Sequence, residues 1–165
     1  MGREKLINEL RDALSETRAH LEAIDYKNRD VYIFGAGDTA KLHQTCFKTE
    51  NIQPLAYLDN NKAGSKLNGI DIIAPADVAN KDNALVLICS PQPTVNEFAA
   101  KQLSSLGIES MNLGRYLFAL NLDEIERNIN SFDDKESADI YATVLGVRAF
   151  PENNLTWGGG ENPVH

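Results

Sequence analysis

Residues 31–40 read VYIFGAGDTA, and this stretch decides the expected fold. Its first four residues form a short β-branched and aromatic run, typical of strands that are buried on both faces of a parallel sheet. The run stops at Gly35, where the pattern GxGxxA begins, and a helical pattern follows from about Thr39 to Thr49. A strand, a glycine turn and a helix in this order predict the start of a βαβ unit.

The three small residues of the turn have separate expected roles. Gly35 permits a tight turn, Gly37 lets backbone N–H groups approach a pyrophosphate, and Ala40 allows close packing of helix on sheet. The start of the helix adds unpaired N–H groups and a partial positive charge. Asp59 ends the next strand pattern, 22 residues after Gly37, where an acid accepts hydrogen bonds from the ribose hydroxyls of NAD. The pattern predicts nucleotide binding.

Strand and helix patterns alternate along the rest of the chain. Further strand patterns lie at 55–58, 70–73, 84–89 and 109–113, while residues 60–69 predict a loop or hairpin. Parallel strands need crossover connections, so the expected fold class is α/β, a Rossmann-like parallel sheet flanked by helices. Thr94-x-x-Glu97 predicts a capping box on the helix after the strongest strand.

An N-terminal helix and a C-terminal helical extension are expected on either side of this sheet. Leucines recur at helical spacing before residue 25, and two more helical stretches cover about 123–130 and 135–145. The expected segments are an amphipathic helix (1–28), the Rossmann-like nucleotide-binding domain (29–114), the helical extension (115–150) and an irregular tail (151–165).

Composition excludes several functional classes. The 165 residues carry a net charge of -8, which repels nucleic acid. No run of about 18 apolar residues predicts a membrane span. The two cysteines, Cys46 and Cys89, lie in no CxxC pattern with histidine partners, so neither a disulfide scaffold nor a metal site is expected. A reducing cytoplasm is the expected location.

The candidate cofactor-binding residues lie on three loops that follow strands. They are Gly35, Ala36, Gly37, Asp38, Thr39, Ala40, Asp59, Asn60, Ser90 and Pro91. NAD is favoured over NADP because the Asp59 carboxylate would repel a 2′-phosphate, although Lys62 and Lys66 could soften that preference or simply be solvated loop charges. S-adenosylmethionine is less expected, since Ile33 and Phe34 stand where its enzymes often carry an acid.

No catalytic residue emerges from the sequence. No tyrosine is followed by lysine four places later, and His43 is expected to be a packing or helix-face residue. Cys89 lies inside a core strand, where a thiol is unreactive. The isolated chain is therefore expected to be non-catalytic. If it belongs to an enzyme, the expected class is methyltransferase or oxidoreductase.

Three stretches resemble a known group of domains. VYIFGAG (31–37), AYLDNNK (56–62) and NGIDIIAP (68–75) resemble the Rossmann domains of bacterial sugar-nucleotide and polysaccharide-modification proteins, which also precede FkbM-family methyltransferases. The resemblance covers about residues 29–113, and residues 132–148 resemble the lead-in to an FkbM-type catalytic domain. It implies an accessory NAD(P)-binding module, with no methyltransferase glycine motif after Leu145.

Three functions remain open at this point. The first is the accessory nucleotide-binding module, and the second is a fragment of an NAD-dependent sugar-nucleotide oxidoreductase. The third is a protein-interaction domain with a vestigial glycine turn, docking through the leading helix and the helices of 123–145. The expected ligand is a small-molecule nucleotide, with no nucleic acid or membrane. A second copy of the chain or a covalently linked catalytic domain are the candidate protein partners.

Overall fold

A computed structural model describes residues 3–90 and 92–149. These residues fall into two compact units, one of residues 25–113 and one that combines the chain before residue 25 with the chain from residue 114 onward. The predicted site residue Pro91 and the predicted irregular tail, 151–165, lie outside the described residues.

The described elements alternate as the sequence predicts. The strands are β1 (Asp30–Phe34), β2 (Tyr57–Leu58), β3 (Lys66–Leu67), β4 (Ile70–Ile73), β5 (Ala84–Ile88) and β6 (Glu109–Asn112). The helices are α1 (Arg3–Ala23), α2 (Asp38–Leu42), α3 (Gln44–Thr49), α4 (Pro93–Ser105), α5 (Leu113–Leu120), α6 (Leu122–Ser131) and α7 (Lys135–Ala149), with short 3₁₀ turns at Tyr26–Asn28, Pro75–Asp77 and Lys81–Asn83.

The sheet has the order β3-β4-β2-β1-β5-β6, and its pairs are parallel except for β3 with β4. Taken in chain order, the parallel strands therefore lie third, second, first, fourth and fifth. This is the strand order of a doubly wound fold, in which the chain changes direction between its first and fourth strands. The predicted α/β class, a Rossmann-like sheet with helices before and after it, is confirmed. The switch point of the sheet, where the strand order reverses, lies between β1 and β5.

The central strand β5 shows why the apolar runs fold this way. All five of its residues are buried, because a central strand of a parallel sheet is covered on both faces. On one face, side chains of β1, β2 and β5 pack with α4 and the residues around it. This cluster contains Tyr32, Phe34, Ala56, Leu58, Val78, Ala84, Val86, Ile88, Ala99, Leu103 and Ile108.

A hairpin occupies part of the predicted loop at 60–69. Strands β3 and β4 pair antiparallel through Leu67 and Ile70. The two residues between them, Asn68 and Gly69, have φ of 52° and 78°. Asn-Gly with positive φ at both positions is the favoured two-residue hairpin turn. Of the two alternatives left open, the hairpin is the one that forms.

The single helix predicted at 39–49 forms two helices, α2 and α3, with a break at His43. The Gln44 side-chain amide donates to the Ala40 carbonyl (2.9 Å) and to the Tyr57 hydroxyl (2.9 Å). The His43 N–H is shared between the Thr39 and Ala40 carbonyls, as is common at a helix end. A side chain that takes a main-chain acceptor competes with the helical pattern, which accounts for the break.

The second unit pairs the N-terminal helix with the C-terminal ones. Helix α1 packs against α6 and α7, and its Leu10, Leu14 and Leu21 are buried. Arg11 forms a 2.6 Å ion pair with Glu126 of α6. Across residues 3–90 and 92–149, no helix has both the length and the apolar character that a membrane crossing requires.

Candidate functional site

The glycine turn leaves β1 where the strand order reverses. The Gly35 N–H donates to the Leu58 carbonyl at 2.8 Å, and its φ of +106° lies in the region that only glycine adopts easily. A Cβ at this position would lie 3.3 Å from the Cys89 carbonyl oxygen. Gly35 is therefore required by its backbone angle and by the close approach of the chain after β5.

Gly37 differs from Gly35 because nothing in the fold requires a glycine there. Its φ of -91° and ψ of -156° are accessible to other residues. The nearest atom to an added Cβ would be Lys62 Nζ, at 3.9 Å. The space above Gly37 is open, as the predicted approach of a phosphate requires. Ala40 is 1% exposed, consistent with its predicted packing role.

Asp59 connects the turn after β1 to the loop after β2. Its Oδ2 accepts a hydrogen bond from the Ala36 N–H at 3.3 Å. Its Oδ1 accepts from the N–H groups of Asn61 (2.8 Å) and Lys62 (3.0 Å). An ionised carboxylate has about four acceptor sites, so three backbone donors already engage most of this one. The ribose role expected for Asp59 competes with these bonds.

Two other side chains of this loop point to different partners. The Lys62 ammonium lies 3.4 Å from the Ala36 carbonyl oxygen, so it stands beside the glycine turn. Asn60 instead exchanges two amide hydrogen bonds with Gln102 of α4, at 3.0 and 2.9 Å. The sequence places both Asn60 and Lys62 near the site, but only Lys62 contacts the turn.

The loop after β5 forms the neighbouring wall. The Cys89 N–H donates to the Phe34 carbonyl at 3.1 Å, which places Ser90 next to the start of the glycine turn. Buried Asn96 donates from Nδ2 to the carbonyls of Ser90 (2.8 Å) and Gln92 (2.9 Å). Its Oδ1 accepts from Asn112 Nδ2 at 2.8 Å. Sequence reasoning missed Asn96, since polar residues at helix positions are usually solvated.

Two titratable side chains near the turn, Cys89 and His43, have packing roles. Burial raises the pKa of the Cys89 thiol to about 11, with a smaller contribution from Cys46, so this thiol stays protonated near neutral pH. His43 Nδ1 lies 2.7 Å from the Thr39 carbonyl oxygen, and its ring stacks on Phe47. Within the described part of the chain, no group of three or more His, Cys, Asp or Glu is arranged to hold a metal ion.

The predicted site residues thus separate into two groups. In the turn, the Ala36 N–H donates to Asp59 and Gly35 packs against the Cys89 carbonyl, while Lys62 Nζ is the nearest atom to the Cβ position of Gly37. Asp38, Thr39 and Ala40 form the first residues of α2, where only Ala40 is buried. The site lies at the carboxyl ends of β1, β2 and β5, the usual place for a ligand in an open α/β sheet.

Fold and site together define an α/β unit of doubly wound strand order with a glycine turn at its switch point. Residues 27–113, more than half of the chain, match the family described as C2185-like, N-terminal, and the chain belongs to that family. The matched range coincides closely with the unit formed by residues 25–113. No curated protein and no solved structure matches the chain.

Proposed function

We propose that residues 25–113 bind a nucleotide in the cytoplasm, NAD or NADP with NAD favoured, and that the chain has no complete active site of its own. The proposed role is an accessory module of a protein that modifies sugar nucleotides or carries an FkbM-type methyltransferase. The family description, N-terminal, supports a module that precedes another domain. A covalently linked catalytic domain is the proposed partner.

One observation carries this proposal. The space at the Cβ position of Gly37 is open except for Lys62 Nζ at 3.9 Å, and it belongs to the turn in which Ala36 bonds to Asp59 and Gly35 packs against Cys89. Ligands of open α/β sheets bind in this crevice, outside the carboxyl ends of the strands. Helix α2 has only five residues and is too short for its N-terminus to serve as a phosphate site by itself. The proposed phosphate contacts therefore come from the glycine turn and the side chains beside it.

Calorimetric titration with NAD, NADP and S-adenosylmethionine tests the proposal on the wild-type chain and on Gly37→Val. The valine fills the open space without meeting a protein atom nearer than 3.9 Å at its Cβ. We expect NAD to bind the wild type and the substitution to weaken binding about a hundredfold or more. The melting temperature should fall by only a few degrees, because φ of -91° suits valine and its cost at the N-cap of α2 is about 1 kcal/mol or less. A wild type that binds none of the three ligands contradicts the proposal.

A second candidate, a protein-interaction domain with a vestigial turn, is favoured by the surface of α7. Ile140 and Val144 lie one helical turn apart and are 57% and 42% exposed. Neighbouring exposed apolar side chains are typical of contact surfaces. A wild type that binds no nucleotide, and forms a dimer that Ile140→Asp dissociates, would establish this alternative.

A further inference from the structure

We infer that Lys62 is the phosphate-binding cation of this site, and that the site recognises a nucleotide through its pyrophosphate. The inference rests on the proposed nucleotide binding and specifies the chemical group that the site contacts, the pyrophosphate. It also replaces Asp59 as the main determinant of ligand choice, because the Asp59 carboxylate is committed to the backbone of the two loops.

The position of Lys62 follows from the loop after β2. Asp59 Oδ1 accepts hydrogen bonds from the N–H groups of Asn61 and Lys62, which turns the chain back toward β1. The Lys62 ammonium then lies 3.4 Å from the Ala36 carbonyl oxygen and 3.9 Å from the place where a Cβ of Gly37 would be. A phosphate that entered the open space above Gly37 would meet this ammonium directly.

The Lys62 ammonium has donors to spare. Its bond to Ala36 is long for a hydrogen bond, and an ammonium carries three N–H donors. It forms no ion pair with any residue that the structure describes. Lys66, four positions further along the same segment, is by contrast paired with Asp71 at 2.9 Å. Of the two lysines, only Lys62 lies beside the turn, and among the described residues it has no ion pair.

The existing hydrogen bonds of Asp59 restrict which ligands the site can bind. Its two oxygens already accept three backbone N–H bonds, so ribose hydroxyls would have to displace an existing bond or share the remaining acceptor site. A pyrophosphate needs no acceptor site on Asp59, because its oxygens accept hydrogen bonds, and charge-assisted hydrogen bonds from lysine to phosphate oxygens are strong. The expected ligands are nucleotides that carry a pyrophosphate, including NAD and ADP, whereas adenosine lacks the group that the site reads.

The test is calorimetric titration of the full chain with NAD, ADP and adenosine, in the wild type and two variants. Lys62→Gln removes the proposed cation. Lys66→Gln removes the same charge from a neighbouring exposed lysine that is already paired, so it is the matched control. We expect Lys62→Gln to weaken NAD and ADP binding by about ten- to a hundredfold, and Lys66→Gln to weaken it by less than about threefold. Adenosine should not bind.

The outcomes separate this inference from the proposed function. If the wild type binds NAD and Lys62→Gln binds it equally well, Lys62 is not the phosphate cation, while nucleotide binding stands. Equal weakening by both variants also overturns the inference, because it indicates general attraction by net charge. If the wild type binds neither NAD nor ADP, both proposals fail. Unchanged melting temperatures would show that each variant is folded, as the exposure of both lysines leads us to expect.

Discussion

At the scale of single residues, Gly35 and Cys89 show how closely the two strands of the switch point approach. A Cβ at Gly35 would lie 3.3 Å from the Cys89 carbonyl oxygen, a contact that the backbone would have to shift to relieve, and the Cys89 N–H bonds to the end of β1. The thiol is 6% exposed, and burial raises its pKa from 9.0 to about 11. A thiolate there would lack solvent, so the folded chain keeps the proton.

This shift in the pKa of Cys89 predicts a loss of stability at alkaline pH. Since the folded pKa is raised, the stabilisation is present below about pH 9 and is lost as pH rises toward 11. For a shift of about two pKa units, the loss amounts to about 3 kcal/mol at most. Urea unfolding between pH 8 and 11 should show a steeper fall for the wild type than for Cys89→Ala. Tyr32, whose pKa is also raised by burial, acts equally in both proteins. Parallel curves would contradict the prediction.

At the scale of elements, the start of α4 differs from the predicted capping box. The helix begins at Pro93, and Gln92 occupies the N-cap position without a side-chain hydrogen bond. Proline suits the first position of a helix because its missing N–H is not needed there. Glu97 forms an ion pair with Lys101 at 3.1 Å. The predicted Thr94-x-x-Glu97 capping box was wrong, because the helix starts two residues earlier than it requires. The loop before α4 is held instead by hydrogen bonds from Asn96.

Asn96 is therefore expected to matter more than Thr94. Asn96→Ala removes the side-chain donor to the Ser90 carbonyl and leaves the Gln92 carbonyl only its backbone bond, at a cost of about 1–3 kcal/mol in unfolding free energy. Thr94→Ala, on the same turn and exposed, should cost less than about 0.5 kcal/mol. Urea unfolding of the two variants measures the difference. A cost of about 1 kcal/mol for Thr94→Ala would instead restore the capping box.

At the scale of the whole molecule, the two ends of the described chain belong to one unit. The sequence predicts an N-terminal helix and a C-terminal extension as separate segments, with no indication of what covers the leucines of α1. In the structure α1 packs against α6 and α7, and its Arg18 lies 3.4 Å from Asp123. The unit of residues 25–113 has its own sheet and core.

Because of this division, we expect a destabilising substitution in α1 to affect α6 and α7 more than the sheet. Leu14 is fully buried, so Leu14→Ala should cost about 2–5 kcal/mol in the unit that contains it. Hydrogen exchange should show faster exchange in α6 and α7 than in the wild type, with β1 and β5 little changed. Glu16→Ala, on an exposed position of the same helix, is the control. Equal loss of protection in β5 would mean that the two units unfold together.

The sequence by itself determined the parts of this protein that depend on local pattern. The apolar runs of β1 and β5 predicted buried parallel strands, and Asn68-Gly69 carried the signal of the hairpin turn. The glycine turn and Asp59 could also be found, because the small residues and the acid recur at a spacing set by the βαβ unit. Within the described residues, these elements lie where the sequence predicts them, at the carboxyl end of β1 and the end of β2.

Only the tertiary structure decided which distant residues meet. The aromatic side chain of Phe98 in α4 is 61% exposed. Helix α5 lies largely within the predicted helical extension (115–150), but outside the two helical stretches predicted there. Three contacts join residues that are far apart in sequence or on different elements. They are the hydrogen bond of Lys62 to Ala36, the hydrogen bond of Asn96 to Ser90 and the packing of α1 on α6 and α7. Periodicity reports which face of an element is apolar. It does not report which partner covers that face or which charge lies beside a turn, because those depend on how the elements pack.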